Sequence, residues 1–194
     1  MNEAIHNLVK KISTTNPQFT ELELKKMEYG LICTFSDATK IVAYFIIFYL
    51  LNFQQYFIVS AIFFCSIRLF SGGYHANTYW GCFFMSFAIF LAIILLGQYL
   101  VNNTIILMIL LIISIILIVV FSPVDNINKR IKSEKRRKKL KYYSIIVTFI
   151  LSGLCYLLPR EFLITAMLSI IGAAVMMVIG IINNRYVSKI ECKS

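Results

Sequence analysis

Long apolar stretches separated by short polar segments dominate the chain. There are five such stretches, at residues 41–67, 82–100, 104–121, 144–158 and 162–182. A helix of about 20 apolar residues crosses the ~30 Å hydrocarbon layer of a membrane. Asn52, Gln54 and Gln55 interrupt the first stretch, so we predict that it crosses twice and turns at these residues. The alternatives are a single crossing, or a short half that tilts or only dips into the bilayer. The pattern predicts an all-α polytopic membrane protein with about six membrane helices.

The first 36 residues are more polar and carry an amphipathic pattern. Ile5, Leu8, Val9 and Ile12 recur there at helical spacing. Pro17 interrupts this pattern, and Thr20 followed by Glu23 is typical of a capping box at the start of a second helix. We predict two short amphipathic helices that lie on the cytoplasmic face of the membrane.

Composition narrows the class of protein further. Hydrophobic residues make up 59% of the chain and charged residues 14%, against about 45–50% and about 25% in soluble domains. These values exclude a soluble globular enzyme, a secreted disulfide scaffold and a disordered protein. The five cysteines are odd in number, scattered and without a CxxC pair. We therefore expect no disulfide framework, no metal site and no cofactor.

The positive charge indicates the orientation of the chain in the membrane. The net charge is +10, and nine of the 19 Lys and Arg residues lie within residues 129–141, beside apolar stretches. We interpret this run as a cytoplasmic loop facing the membrane rather than as a nucleic-acid-binding segment. With this loop, both termini and residues 68–81 in the cytoplasm, 18 of the 19 cations lie inside and only Arg160 lies outside.

These patterns predict a single membrane domain over residues 1–194. We expect an amphipathic cytoplasmic-face segment (1–36), membrane hairpins (37–67, 82–121 and 144–182), a candidate catalytic loop (68–81), a basic cytoplasmic loop (122–143) and a cytoplasmic tail (183–194).

The candidate chemistry lies in residues 68–82. This segment holds three of the eight glycines, the only Trp and one of the two histidines. Gly72 and Gly73 are typical of a helix end with a tight backbone turn. His75 and Cys82 follow, and a Cys–His pair is the minimum for a thiol nucleophile, because the imidazole takes the thiol proton.

The spacing of this pair constrains the local fold. On one continuous helix the Cα atoms of His75 and Cys82 would lie about 10 Å apart along the axis, too far for a hydrogen bond. The chain must fold back, with Asn77 or Thr78 as the N-cap of a helix that carries Cys82 near its first turn. The alternative is that Cys82 is a packing residue and His75 an interfacial one. We interpret the other four cysteines as packing residues.

The same residues carry a resemblance to a known family. Arg68, Gly73, His75 and Cys82, in a small basic membrane protein, resemble the AgrB family of quorum-sensing peptide-processing endopeptidases. A second stretch, Ser-Pro-Val-Asp-Asn-Ile-Asn-Lys at 122–129, resembles that family's Pro-Val-Asp/Glu…Asn-Lys loop. The similarity extends over most of the chain in length, segment order and basic loop. The chain departs from the family in having Ser at 122, where Ala is usual, and Arg at 130, where many members have Pro.

The resemblance implies an activity and a set of partners. Cys82 would cleave the C-terminal tail from an AgrD-like propeptide through a thioester acyl-enzyme, with His75 as general base and then general acid. A Cys or Ser within the peptide would close a thiolactone or lactone ring. The resemblance also implies a homodimer in the bacterial cell membrane, with the active site on the cytoplasmic side. The competing functions are a membrane protease that only hydrolyses, and a non-enzymatic transporter subunit or receptor.

Five further residues are candidates for supporting or substrate-binding roles: Arg68, Gly73, Ser86, Asp125 and Lys129. Arg68 either binds a substrate carboxylate or the developing oxyanion, or anchors the loop at the cytoplasmic side. Ser86, one turn after Cys82, either hydrogen-bonds the site or packs between helices. Asp125 either orients substrate or pairs with Lys129, and we favour the pair. The basic run at 129–141 anchors the topology and would also attract an acidic propeptide tail.

Overall fold

Helices make up nearly all of the described chain. The computed structural model describes residues 2–15, 19–74, 76, 78–100, 104–125 and 133–191. Within these ranges the helices are α1 (Asn2–Thr15), α2 (Glu21–Leu50), α3 (Gln54–Ser71), α4 (Tyr79–Tyr99), α5 (Thr104–Phe121), α6 (Glu134–Cys155) and α7 (Arg160–Glu191). No β-strand occurs in these ranges; a single parallel bridge joins Gly72 to Val124. The prediction of an all-α fold is confirmed.

The chain divides into two compact units, residues 1–47 and 48–194. In the first unit, His6 Nδ1 on α1 lies 3.0 Å from Glu28 Oε1 on α2. The predicted capping box is present at the start of α2, because Thr20 N donates to Glu23 Oε2 at 3.0 Å and Glu23 N donates to Thr20 Oγ1 at 3.4 Å.

Helix α2 is longer than the sequence pattern predicts. It runs without a break from Glu21 to Leu50, so the expected short second amphipathic helix is wrong. The physical reason is that residues 31–50 contain neither Gly nor Pro, and nothing else there ends a helix. A boundary between a surface segment and a membrane segment, predicted after residue 36, would fall inside this helix and stays a prediction.

The first apolar stretch forms two helices, as predicted. Helix α2 ends at Leu50 and α3 begins at Gln54. Between them Asn52 has a φ of 59°, a left-handed conformation that Asn tolerates better than most residues. Phe53 N donates to Phe48 O at 2.8 Å and closes the turn.

Helix α7 forms the centre of the second unit. It packs against α3, α4, α5 and α6, and Ile164, Met167, Ile170 and Met177 on it are fully buried. Its buried hydroxyls bond back to the helix itself; Ser169 Oγ, for example, donates to a main-chain carbonyl 2.7 Å away. The other helices of this unit keep long apolar faces on the outside, which is typical of a bundle surrounded by lipid.

Five helices, α2, α3, α4, α5 and α7, are long and apolar enough to cross a membrane. Helix α6 is the sixth expected segment, and its apolar part starts only at Ser144. Its first ten residues, 134–143, show that the second half of the predicted basic cytoplasmic loop is helical, and the cytoplasmic position of this segment stays a prediction. Glu, Lys and Arg are good helix formers, so the basic run continues the helix. Residues 183–191, predicted as a tail, likewise extend α7.

Candidate active site

Arg68, near the end of α3, ties the following loop back to that helix. Its guanidinium Nη2 donates to the carbonyl oxygen of Tyr74, and its Cζ lies 5.6 Å from the ring centroid of Phe64. This contact lies within the loop, and both roles expected for Arg68 stay predictions. It shapes the backbone that leads from α3 to Cys82.

Two glycines turn the chain immediately after α3. Gly72 has a φ of 72° and Gly73 a φ of 131°, values that favour glycine. Val124 N donates to Ser71 O at 2.8 Å, and a Cβ atom on Gly72 would lie 2.2 Å from Val124 O. The loop at 71–74 and the segment at 122–125 are therefore in direct backbone contact, which only glycine permits at position 72.

The backbone of this loop also lies directly on α7. Tyr74 N donates to Met176 O at 3.2 Å. A Cβ atom on Gly180 would lie 2.7 Å from Tyr74 N and 2.9 Å from the carbonyl carbon of Gly73. Helix α7 is thus the surface on which the loop rests, and Gly180 is the position that allows the approach.

The start of α4 confirms the predicted cap. Thr78 has an extended backbone, and its Oγ1 accepts a hydrogen bond from Gly81 N at 3.1 Å. Cys82 N donates to Thr78 O at 3.0 Å, so Cys82 lies in the first turn of the helix. A Cβ atom on Gly81 would lie 3.3 Å from the Cβ of Ala76, which shows that the chain folds back onto this turn.

His75 and Asn77 lie outside the described residues. The pairing of His75 with Cys82 therefore stays a prediction. The flanking residues Tyr74 and Thr78 are held by the hydrogen bonds above. Cys82 and Ser86 are both half-buried on the same side of α4, and the role of Ser86 also stays a prediction.

Asp125 joins the second loop to α6 and α7. Its carboxylate Oδ2 lies 3.9 Å from Arg137 Nη2, and its main-chain carbonyl accepts a hydrogen bond from Asn184 Nδ2 at 2.6 Å. The favoured partner Lys129 lies outside the described residues, so that pair stays a prediction. The other oxygen, Oδ1, is buried and has no hydrogen-bond partner within the described part of the chain.

Three residues that contact these loops could not be identified from the sequence. Gly180 and Asn184 belong to α7. Gly180 lies more than a hundred residues after the loop that it supports, and Asn184 lies 59 residues after Asp125. Only the tertiary fold brings them to these loops. Arg137 was one unremarkable member of the basic run. The available signals were weak: a glycine inside an apolar helix and an asparagine at its end.

Neither a metal site nor a disulfide occurs among the described residues. Within the described ranges, no three His, Cys, Asp or Glu side chains come together as metal ligands. Cys33, Cys65, Cys82 and Cys155 form no disulfide there. Among the described residues, the Cys82 thiol at the start of α4, reached by a glycine turn, has the clearest chemical use, because a thiol can act as a nucleophile.

Together, the helical bundle and the thiol at the start of α4 define a polytopic membrane protein with a candidate cysteine site. The family model for Accessory gene regulator B (AgrB) matches residues 3–182, and the chain belongs to this family. It is 28% identical over 180 residues to an AgrB-like protein of Clostridium beijerinckii, covering 92% of this chain and 90% of that protein. No solved structure matches the chain. The resemblance stated from the sequence is confirmed, and the family places the chain in quorum-sensing peptide processing at a membrane.

Proposed function

We propose that this chain is a membrane cysteine endopeptidase that cleaves the C-terminal tail of an AgrD-like propeptide and supports its cyclisation. The observation that carries the proposal is the position of Cys82 in the first turn of a helix capped by Thr78, next to a loop held on α7. This rigid placement suits a nucleophile, since reaction rates depend on atomic positions held within about 1 Å.

The proposed reaction has two acyl transfers. The Cys82 thiolate attacks the carbonyl carbon of the scissile peptide bond, the C–N bond breaks, and the His75 imidazolium gives its proton to the leaving amine. A Cys thiol or Ser hydroxyl of the bound peptide then loses its proton to His75 and attacks the thioester carbonyl. The ring closes as a thiolactone or lactone, and the Cys82 thiolate leaves.

The energetics favour a protected site. Forming a thioester from an amide is uphill, whereas exchange of a thioester for a thiolactone is nearly neutral, so removal of the released tail must drive the sequence. Water must be kept from the acyl-enzyme, because hydrolysis would give a linear product. Cys82 is half-buried against the helical bundle, which supports this protection.

Cysteine variants test the proposal directly. Cys82→Ala removes the attacking atom, so neither released tail nor thioester adduct should form. Cys82→Ser keeps the shape but has a far weaker nucleophile near pH 7, and should give little product. Cys65→Ala is the matched control, since Cys65 is a cysteine of α3 that is exposed on the bundle surface. Mass spectrometry of the purified protein with its propeptide measures tail and adduct.

His75→Ala should fail in a different way. This variant lacks the imidazole that takes the thiol proton in the parent, so hydroxide from solvent must take it. Residual cleavage by this variant should therefore rise from pH 7 to pH 8, more steeply than in the parent. An adduct on another cysteine, or full cyclisation by Cys82→Ala, would contradict the proposal and favour a transporter or receptor. A linear product would favour simple hydrolysis.

We also propose that both termini and the loop at 68–81 face the cytoplasm and that the protein acts as a homodimer. Charge supports the orientation, since 18 of 19 cations then lie inside. Single cysteines after Lys40, at Asn77 and after Lys189, labelled with an impermeant thiol reagent, test it in intact cells. Labelling from outside at Asn77 would refute it. Cross-linking of two differently tagged copies in native membranes tests the homodimer.

A further inference from the structure

Helix α4 carries one continuous exposed face from end to end. Its residues are spaced four positions apart along the chain, with a last step of three positions: Trp80, Phe84, Ala88, Ala92, Leu96 and Tyr99. Trp80 is 63% exposed, Phe84 62% and Tyr99 85%. An apolar face of this length exposed to water would be unusual for a folded protein. It needs a partner outside the described chain.

The length of this face matches the thickness of a bilayer core. Trp80 and Tyr99 are 19 residues apart, about 28 Å along a helix axis with a rise of 1.5 Å per residue, and a hydrocarbon core is about 30 Å thick. No Asp, Glu, Lys or Arg occurs between them. Aromatic residues with a polar N–H or O–H group thus stand at both ends of a span of bilayer length, as in the aromatic belts of membrane proteins.

The first end carries more than one aromatic ring. The Trp80 ring lies 5.5 Å from Tyr79 and 6.1 Å from Phe84, measured between ring centroids. Phe83 contacts both Trp80 and Phe84, at 5.9 Å and 5.5 Å. This cluster, residues 79, 80, 83 and 84, sits where the polar loop ends and the apolar helix begins. Such a group fits the headgroup region, because its rings are apolar and the Trp and Tyr groups retain hydrogen-bonding capacity.

Cys82 points away from Trp80, the residue at the start of this exposed face. Two residues of an α-helix turn the chain by about 200°, so Cys82 lies about 160° around the axis from Trp80. It shares its side of the helix with the buried residues Ile93 and Gly97, and this side contacts the bundle. Along the axis it is only about 3 Å further into the membrane than Trp80.

We propose that the aromatic cluster at the start of α4 is a lipid-binding anchor that holds Cys82 at the depth of the membrane headgroups, facing the bundle. This inference rests on the proposed function. With Cys82 at this depth, the scissile bond reacts at the membrane interface and not in bulk water or at the bilayer centre.

The fluorescence of Trp80 tests the anchor without any label, because it is the only tryptophan of the chain. The full-length protein is placed in phosphatidylcholine–phosphatidylglycerol vesicles whose lipids carry bromine near the headgroup, at mid-chain or near the chain end. We expect the shallow bromine to quench Trp80 at least about twofold more than the deepest one. Trp80→Phe/Ala88→Trp is the matched control: it moves the ring about 12 Å down the same face and should reverse the order.

Each other outcome overturns the proposal. Strongest quenching by the deepest bromine places Trp80 inside the bilayer core. Quenching by aqueous iodide but by no brominated lipid places it in water, and quenching by neither shows that protein, and not lipid, covers it. The same profile is measured on Cys82→Ala, which does not depend on catalysis. The quenching result can therefore contradict the anchor without contradicting the peptidase function. Absence of the peptidase function would likewise leave the anchor unaffected.

Discussion

Gly180→Ala is the sharpest test of the contact between α7 and the candidate active-site loop. The added Cβ would lie 2.7 Å from Tyr74 N, whereas ordinary contacts of a Cβ are 3.4–4 Å. The loop backbone must therefore move away from α7 by about 0.7 Å or more. This movement stretches the hydrogen bond from Tyr74 N to Met176 O from 3.2 Å to about 3.9 Å, beyond hydrogen-bonding distance.

The expected effect on stability is modest and the effect on activity is large. Overpacking costs about 1–3 kcal/mol and the lost hydrogen bond about 1 kcal/mol, while alanine in place of glycine within a helix contributes about 1 kcal/mol in the opposite direction. The net loss is about 1–3 kcal/mol. A displacement of nearly 1 Å next to the reacting groups should lower the cleavage rate about 10- to 100-fold.

Gly153→Ala is the control, because nothing lies within 4 Å of the added Cβ on that glycine of α6. Single-turnover release of the propeptide tail, measured in proteoliposomes, gives the rate, and circular dichroism on heating gives the stability. We expect Gly153→Ala to cleave at the parental rate. Parental cleavage by Gly180→Ala, or an equal loss in both variants, would refute the contact as a determinant of the site.

Three other changes have defined outcomes. Thr78→Ala removes the cap of α4, costs about 1 kcal/mol and should lower cleavage several-fold, whereas Thr78→Ser restores it. Asn184→Leu removes the hydrogen bond to the Asp125 carbonyl and should slow cleavage about tenfold. Asn183→Leu is the control and should cleave near the parental rate. Equal losses in the two variants would contradict a specific role of Asn184. Replacing the four exposed cations at 135, 136, 138 and 139 by Gln, and keeping Arg137 for its ion pair, should raise KM for a propeptide with an acidic tail but leave kcat unchanged. That difference should shrink at high salt, and equal KM values at low salt would leave the run as a topology anchor.

Local patterns in the sequence predicted the helices well and the loops in part. Hydrophobic runs of bilayer length located α4, α5 and α7, and the polar residues around Asn52 located the turn before α3. The spacing between His75 and Cys82 predicted a capped helix start before Cys82, and the Thr78 cap confirms that helix start. The pairing of His75 with Cys82 stays a prediction. These features depend on residues close together in the chain.

Tertiary contacts could not be predicted from the pattern of apolar and polar residues. The support of the loop by Gly180 joins residues more than a hundred positions apart, and glycine is also common in membrane helices wherever two helices pack closely. The partner of Asp125 depends on α6 extending through the basic run to Arg137, which charge alone indicated as a loop. Helix α2 was divided because polarity changes along it, although polarity does not end a helix without a breaking residue.

The contacts of α7 with the two loops recur at a fixed interval. The Met176 carbonyl holds Tyr74, Gly180 lies under the same loop, and Asn184 holds Asp125; these three positions are four residues apart. Residues four apart lie on one side of a helix, so one insertion between 180 and 184 would turn Asn184 by about 100° around the axis. The second loop would lose its attachment while the first kept its own. The helical register of α7 thus couples the two loops, and a rotation or sliding of this one helix would displace both at once.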